Sequence, residues 1–298
     1  MEKNNINFEK ISSQRIRDRL GRSWYKYSRN TLSILGLITV LIVIFAAVSA
    51  FYLSPYPESA GNYVNFNEQS QPPSFVHFCG TDIVGRDIFS RILFGLRMSL
   101  LMGIVVVSLS APVGVFAGLV AGYFRGRWIS LLIMRIVDVF VAVPPLLMAL
   151  AVCSILSPNV FNAMVAVSVG WWAWYARVIY GIVSSIRGEF YIQAAEVSGA
   201  STGHILFKEI LPNCLSPIFT KMSLDIGSVI LIGSSLSFVG LGAQPPTPDL
   251  GTMVADGAKF LPDLWWITVF PACAIVIIVL GFNIMGDGIR DILGVEEV

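Results

Sequence analysis

Apolar and polar residues are sharply segregated along this chain. Runs such as LGLITVLIVIFAAVSAF at 35–51 continue without polar alternation. Five stretches, 30–57, 98–124, 139–176, 226–248 and 264–286, contain no Asp, Glu, Lys or Arg, and the shortest is 23 residues long. A helix needs about 20 predominantly apolar residues to cross a bilayer. A transmembrane barrel strand would instead alternate apolar and polar over about 10 residues. Backbone groups in lipid must be satisfied within their own segment, so these runs predict helices. The expected spans are 32–53, 98–122, 130–155, 160–181, 217–242 and 264–285. The uncharged run 139–176 holds parts of two of them, with Ser157-Pro158-Asn159 as the turn between. The fold class is therefore an all-α polytopic membrane protein with six transmembrane helices.

Composition agrees. Charged residues make up 13% of the chain, against about 25% in an ordinary soluble domain. Hydrophobic residues reach 55%, and the mean hydropathy is +0.73. A soluble enzyme, a disordered chain and a basic nucleic-acid binder are excluded, and a net charge of +1 calls for no polyanionic partner. The placement of the basic residues orients the bundle. With the N-terminus in the cytoplasm, 16 of the 20 Lys and Arg lie inside, and Arg86, Arg91, Arg97 and Lys259 lie outside. The expected topology is N-in/C-in. Its parts are a cytoplasmic tail 1–31, a first helix 32–53, and an extracytoplasmic loop 54–97 that ends in an amphipathic helix. A five-helix core 98–285 with a cytoplasmic loop 182–216 and a tail 286–298 follow. Val48-Ser49-Ala50 could serve as a signal-peptide cleavage site, but the basic lead and the apolar run are both too long. Cys79, Cys153, Cys214 and Cys273 are far apart and form no C-x-x-C pair.

Candidate chemistry is sparse. Gly-Lys never occurs, so there is no phosphate-binding P-loop, and there is no H-E-x-x-H. His77 and His204 fall in loops on opposite sides and cannot share a site; His77-Phe78-Cys79 offers too few ligands for a structural metal site. Gly114, Gly118 and Gly122, with Ser110 one turn earlier, put a smooth ridge on one face of the second span for close helix packing, within the chain or against a second subunit. Pro144-Pro145 should kink the third span. Arg135 with Asp138, and Lys221 with Asp225, are spaced to pair along their helices. Loop 182–216 is unusually organised. Ile182, Ile186, Phe190 and Ala194 share a helix face, Gly199 breaks the helix, and Ser201 can cap a second one ending at Leu211-Pro212.

At this loop, QAAEVSG followed by ASTGHILFKEILP, the chain resembles the membrane subunits of ABC importers. GTDIVGRDIFSRILFG at 80–95 and SLSFVGLGAQPPTPDLGTM at 235–253 narrow the resemblance to the second permease subunit of dipeptide, oligopeptide and nickel importers, over nearly the whole chain. The resemblance implies a type I ABC importer permease fold in a prokaryotic plasma membrane. It implies a second homologous permease subunit, two ATPase subunits, an extracytoplasmic substrate-binding protein and a peptide-like substrate, with surrounding membrane lipid and no nucleic acid. The chain itself would hold no cofactor and catalyse nothing; ATP and Mg would be bound by the ATPases. By motif position Gln193, Ala194, Ala195 and Gly199, flanked by Tyr191, Ile192, Glu196 and His204, would form the ATPase-coupling loop. Thr81, Asp82, Gly85, Arg86 and Asp87 would contact the binding protein, brace the partner permease or hold their own loop together.

The chain departs from the family pattern in two places. Gln193 stands where the family often has Glu, and Gly233 where close relatives often have an acidic residue in the fifth span. Ser234, Ser235 and Asp225 are the pathway candidates that remain, and they suggest a conduit lined by Ser, Gly and backbone. Nickel chelates, opines and sugar oligomers use related subunits. A stand-alone secondary transporter would need internal repeats with interrupted helices, and no such repeat stands out.

Overall fold

The computed structural model describes residues 25 and 27–293. Most of the expected basic lead, through residue 24 and at Lys26, lies outside the described residues, as does 294–298 of the expected tail. Regular structure among the described residues is helical, apart from one isolated antiparallel bridge between Thr81 and Asp87.

Helix α1 (Thr31–Val48) starts where Asn30 accepts a hydrogen bond from the Leu32 N–H at 3.1 Å, and a short turn, Ala50–Leu53, extends it. Segment 54–87 then folds over the ends of the helices as a cap. Helix α2 (Ile88–Tyr123) has 36 residues, about 54 Å of helix at 1.5 Å per residue. The expected amphipathic helix and second span are thus one element. Helices α3 (Trp128–Ala142) and α4 (Pro145–Cys153) replace the expected kinked span 130–155. They meet at 89°, because Pro144 and Pro145 remove two consecutive backbone donors. Helix α5 (Val160–Ile186) is capped by Asn159, which accepts from the Asn162 N–H at 2.8 Å.

A short helix, α6 (Phe190–Val197), and a turn, Thr202–His204, form an elbow at the end of the bundle away from the cap. The second helix of this elbow does not stop at Leu211-Pro212 as expected. A π-type turn over Ile205–Ile210 leads directly into α7 (Leu211–Phe238). The wider turn sits immediately before Pro212, whose missing N–H falls in the first turn of α7, where a proline is tolerated. Helix α8 (Leu250–Ala258) belongs to the cap end, and α9 (Trp265–Leu293) returns through the bundle against α1 and α7.

Four helical stretches, Thr31–Val48, Ile88–Tyr123, Thr202–Phe238 and Trp265–Ile292, are long and apolar enough to cross a membrane, and the bent α3–α4 pair makes a fifth. Helix α5 is long enough at 27 residues, but Asn162, Trp171, Trp172, Trp174 and Tyr175 make it less apolar. It packs against α2, α3, α4 and α7, so much of its surface meets protein.

The glycine ridge meets α5 of the same chain. A Cβ on Gly114 would collide with the Trp172 carbonyl oxygen, one on Gly118 would lie 2.7 Å from the Ala176 oxygen, and one on Gly122 would lie 2.6 Å from Val183 Cβ. Backbone approaches backbone along three helical turns, and Ser110 Oγ donates to the Ser168 carbonyl at 3.3 Å at the same seam. Gly118→Val must force the two helices apart, at a cost of about 1–3 kcal/mol. The expected outcome is a lower thermal unfolding midpoint in detergent and reduced yield of folded protein, while an unchanged midpoint would mean the seam is looser than described.

Candidate functional site

The elbow is built on one buried anchor. Ile192 is fully buried among Leu119, Tyr123, Ile179, Val183, Ile205 and Ile210, so α2, α5 and the π-type turn together form its socket. Glu196 is tied to α2 by the Tyr123 hydroxyl, which donates to Glu196 Oε1 at 2.9 Å. The Arg187 guanidinium lies over the Tyr123 ring at 5.3 Å and donates to the Arg125 carbonyl at 3.4 Å. Asn213 Nδ2 donates to the Tyr191 hydroxyl at 3.2 Å, linking α6 to α7.

Gly199 ends α6. It has φ +79°, its N–H donates to the Glu196 carbonyl at 3.0 Å, and the Ala200 N–H donates to the Ala195 carbonyl at 3.0 Å. These are the two crossed bonds of a Schellman ending, which needs a left-handed residue at the Gly199 position. An added Cβ there meets nothing within 4 Å, so the requirement lies in the backbone and not in packing. Ser201 accepts from the His204 N–H at 3.3 Å, as expected of a cap, and His204 Nε2 lies 3.4 Å from Glu209 Oε1.

The elbow's outward side therefore has a definite composition. Phe190 and Val197 are 87% and 90% exposed, Gln193, Ala194 and Gly199 are exposed beside them, and Ala195 is half-buried. Gln193 Nε2 donates back to the Gly188 carbonyl at 3.0 Å, so its amide braces the entry to α6. This surface offers two large apolar side chains around a small-residue floor. A groove on another protein could seat it closely.

At the opposite end, the five residues of the 81–87 motif form a closed network. Thr81 is fully buried; its hydroxyl donates to the Glu68 carbonyl at 2.5 Å and accepts from the Gln71 N–H at 2.8 Å. The Trp266 indole N–H donates to the Thr81 carbonyl at 3.2 Å, joining the cap to α9. Asp82 accepts from the Val84 and Arg86 N–H groups at 3.0 and 2.9 Å and from Arg86 Nε at 2.7 Å. Gly85 has φ +80°, and a Cβ there would run into the Asn65 carbonyl. Asp87 pairs with His77, not with Arg86: His77 Nδ1 donates to Asp87 Oδ1 at 2.9 Å, while Asp87 Oδ2 caps α2 by accepting from the Ser90 N–H at 2.7 Å. Arg91, also buried, donates to the Ser59 carbonyl at 3.0 Å.

The pathway candidates separate. Ser234 lines a cleft with Ser99, Met102, Gly233, Ser237 and Asp249. Ser235 donates to the Leu231 carbonyl of its own helix at 2.9 Å. Asp225, buried two turns away, accepts from Lys221 at 3.1 Å, and that ammonium also lies 5.2 Å from the Tyr175 ring centroid. Gly233 has a local reason to lack a side chain, since a Cβ would lie 2.7 Å from Met102 Cγ and Cε. Asp138 takes Arg177 of α5 as its closer partner, with Arg135 at 4.0 Å.

Asp249 was not singled out in the sequence. It caps α8 through the Thr252 N–H at 3.0 Å, and burial raises its carboxyl above the ordinary value more than the surrounding hydrogen bonds lower it. The D-x-x-T spacing is a cap signal, but nothing in it indicates burial. Among the described residues, no group of three His, Cys, Asp or Glu side chains could hold a metal ion.

The described residues thus form a bundle of apolar helices with a braced elbow at one end and a folded cap at the other. Residues 114–294 match the family described as binding-protein-dependent transport system inner membrane component, and residues 19–73 match the N-terminal TM domain of oligopeptide transport permease C. The chain belongs to the binding-protein-dependent transport system inner membrane component family and is a multi-pass permease of that membrane. It is 42% identical to the dipeptide transport system permease protein DppC of Alkalihalophilus pseudofirmus, over 89% of this chain and 86% of that one. It is 38% identical to the probable D,D-dipeptide transport system permease protein DdpC of Escherichia coli, over 88% and 87%. To the glutathione transport system permease protein GsiD of Pectobacterium atrosepticum it is 40% identical, over 93% of each chain.

Cys79 reports on the packing of the cap. Burial, and after it the nearby Asp87 carboxylate, push its thiol up to about 11. Its alkylation by iodoacetamide at pH 8 should be on the order of a hundredfold slower than that of an ordinary thiol, and should rise as the pH approaches that value. Mass spectrometry of the labelled folded protein measures this; rapid modification at pH 8 would show that the cap opens.

Proposed function

We propose that this chain is the permease subunit of an ATP-driven, binding-protein-dependent importer of di- or oligopeptides, and that the elbow Phe190–His204 is its ATPase-coupling element. The observation that carries the reading is the elbow's construction: Ile192 and Glu196 fasten it to α2, α5 and the start of α7, while Phe190, Gln193, Ala194 and Val197 face outward. A push on that outward surface is delivered to three long helices at once. ATP binding by two partner ATPases, identical or different, would rock these helices so that the pathway opens alternately to each side.

In this reading α5 and the α3–α4 pair complete six spans in an N-in/C-in arrangement, with the elbow in the cytoplasm and the cap outside. The segments are then the tail 1–31, the first helix 32–53, the loop 54–97, the core 98–285 with loop 182–216, and the tail 286–298. The chain catalyses nothing and holds no cofactor; ATP and Mg belong to the ATPases. A second homologous permease supplies the other wall of the pathway, and an extracytoplasmic binding protein delivers the cargo. The relatives named for dipeptide, D,D-dipeptide and glutathione transport support a peptide cargo.

Gly199→Val tests the assignment. The β-branched side chain disfavours the left-handed turn but meets no neighbour, so insertion and bundle packing should survive. In the assembled transporter, peptide uptake should fall at least tenfold while the two permeases still co-purify. Normal uptake by this variant would overturn the coupling role of the elbow.

A further inference from the structure

The cap carries a surface that the transport reading does not use. Residues 69–81 contain no Asp, Glu, Lys or Arg, and the segment turns sharply at Ser74–His77. The Ser74 N–H donates to the His77 carbonyl at 2.8 Å, and the His77 N–H donates to Ser74 Oγ at 3.1 Å. The two residues inside this turn point outward: Phe75 is 99% exposed and Val76 is 61% exposed. Phe78, just beyond the turn, is also exposed and sets its edge against Phe89 at 5.8 Å.

The turn is rigid and fixed in position. His77 is held by Asp87, and the Tyr56 ring packs on its imidazole at 4.8 Å. The Tyr56 hydroxyl donates to the Val76 carbonyl at 3.3 Å, and the Tyr56 N–H donates to Ser90 Oγ at 3.1 Å. Tyr56 follows the last turn of α1, Ala50–Leu53, by three residues. The Phe75 tip is therefore tied close to the end of α1. There the outward face of α1, with Leu41, Phe45 and Val48 exposed, continues into Phe51 and Tyr52, also exposed. Trp265, exposed at the start of α9, stands beside Trp266, whose indole bonds the cap. Aromatic residues in this position mark the boundary between hydrocarbon and headgroups.

We infer that the Phe75–Val76 turn, with Phe78, is a membrane anchor: a short non-helical wedge that enters the headgroup region of the bilayer beside α1 and holds the cap down on the membrane surface. The exposed aromatic residues clustered at the end of α1 favour lipid as the occupant. Asp82, Asp87 and Arg91 bond inside the cap, and Glu68, 3.8 Å from His77 Nε2, accepts from Asn65 Nδ2 at 2.9 Å, so the charges near the turn are engaged on its inner side and Phe75 itself presents only apolar surface. It also continues the exposed apolar face of α1, a helix long and apolar enough to cross a membrane. The inference rests on family membership and this geometry, and holds whichever side of the membrane the cap occupies.

The test uses the assembled transporter in lipid nanodiscs. A photo-crosslinking amino acid, p-benzoylphenylalanine, replaces Phe75 with the native cysteines kept, and irradiated protein is analysed by mass spectrometry. The expected product is a phospholipid adduct on this chain. Adducts confined to the second permease or the binding protein would overturn the anchor. A second measurement places a nitroxide at Phe75→Cys, and separately at the exposed Glu58→Cys, in a chain whose four native cysteines are replaced. Collisions with oxygen should exceed those with a water-soluble nickel chelate at 75, and the reverse should hold at 58. Chelate dominance at 75, or exclusion of both reagents, would contradict the proposal.

Discussion

Along the seam between α2 and α5, backbone meets backbone, and the elbow at one end of the bundle is built on the side chains this contact brings together. Hydrophobic burial offers little to hold two helices together in lipid, since the lipid is itself apolar; contact distance and packing must do it. Gly114, Gly118 and Gly122 let α2 meet the backbone of α5 near Trp172, Ala176 and Val183. The seam lets the less apolar α5 sit against neighbouring helices, and it brings Leu119, Tyr123, Ile179 and Val183 together at one end. Those four side chains form much of the socket for Ile192. The elbow is positioned by the seam as much as by its own sequence.

The two ends of the bundle solve different problems with the same materials. At the elbow, polar contacts are few and directed: Tyr123 to Glu196, Asn213 to Tyr191, Arg187 to the Arg125 carbonyl. The outward surface is left apolar and small, suited to seating against another protein. At the cap, Asp82, Arg86, Asp87, His77 and Thr81 are consumed in a dense network that locks 54–87 onto α2 and α9. Burying an unpaired charge is costly, and here each of these charges has a partner. The 81–87 motif is thus bonded within its own loop and to α2 and α9, and much of the surface the cap exposes is apolar.

Much of this was legible in the sequence because it follows from periodicity and charge. The uncharged runs located the long helices, the four-residue glycine spacing located the seam, and Gly199 with Ser201 located the elbow. What the sequence hid depends on distance. Pro144-Pro145 announced a kink but not an 89° break. Leu211-Pro212 looked like a helix end because the local rule for proline does not foresee a π-type turn placed just before it. The partner of Asp138 is Arg177 on another helix, and helical spacing could suggest Arg135 alone. His77-Phe78-Cys79 offered too few ligands for a metal site, and nothing in its spacing pointed to Asp87, ten residues on, as the partner of His77.

In the proposed function, the outward face of α6 is the surface that seats against the ATPases. Val197, 90% exposed, lies on that face and supports nothing inside the bundle. The most direct measurement is maleimide labelling of Val197→Cys from the cytoplasmic side, with and without the ATPase subunits bound. Labelling should be rapid in the permeases alone and strongly reduced in the full complex. Equal labelling in both states would contradict this seating.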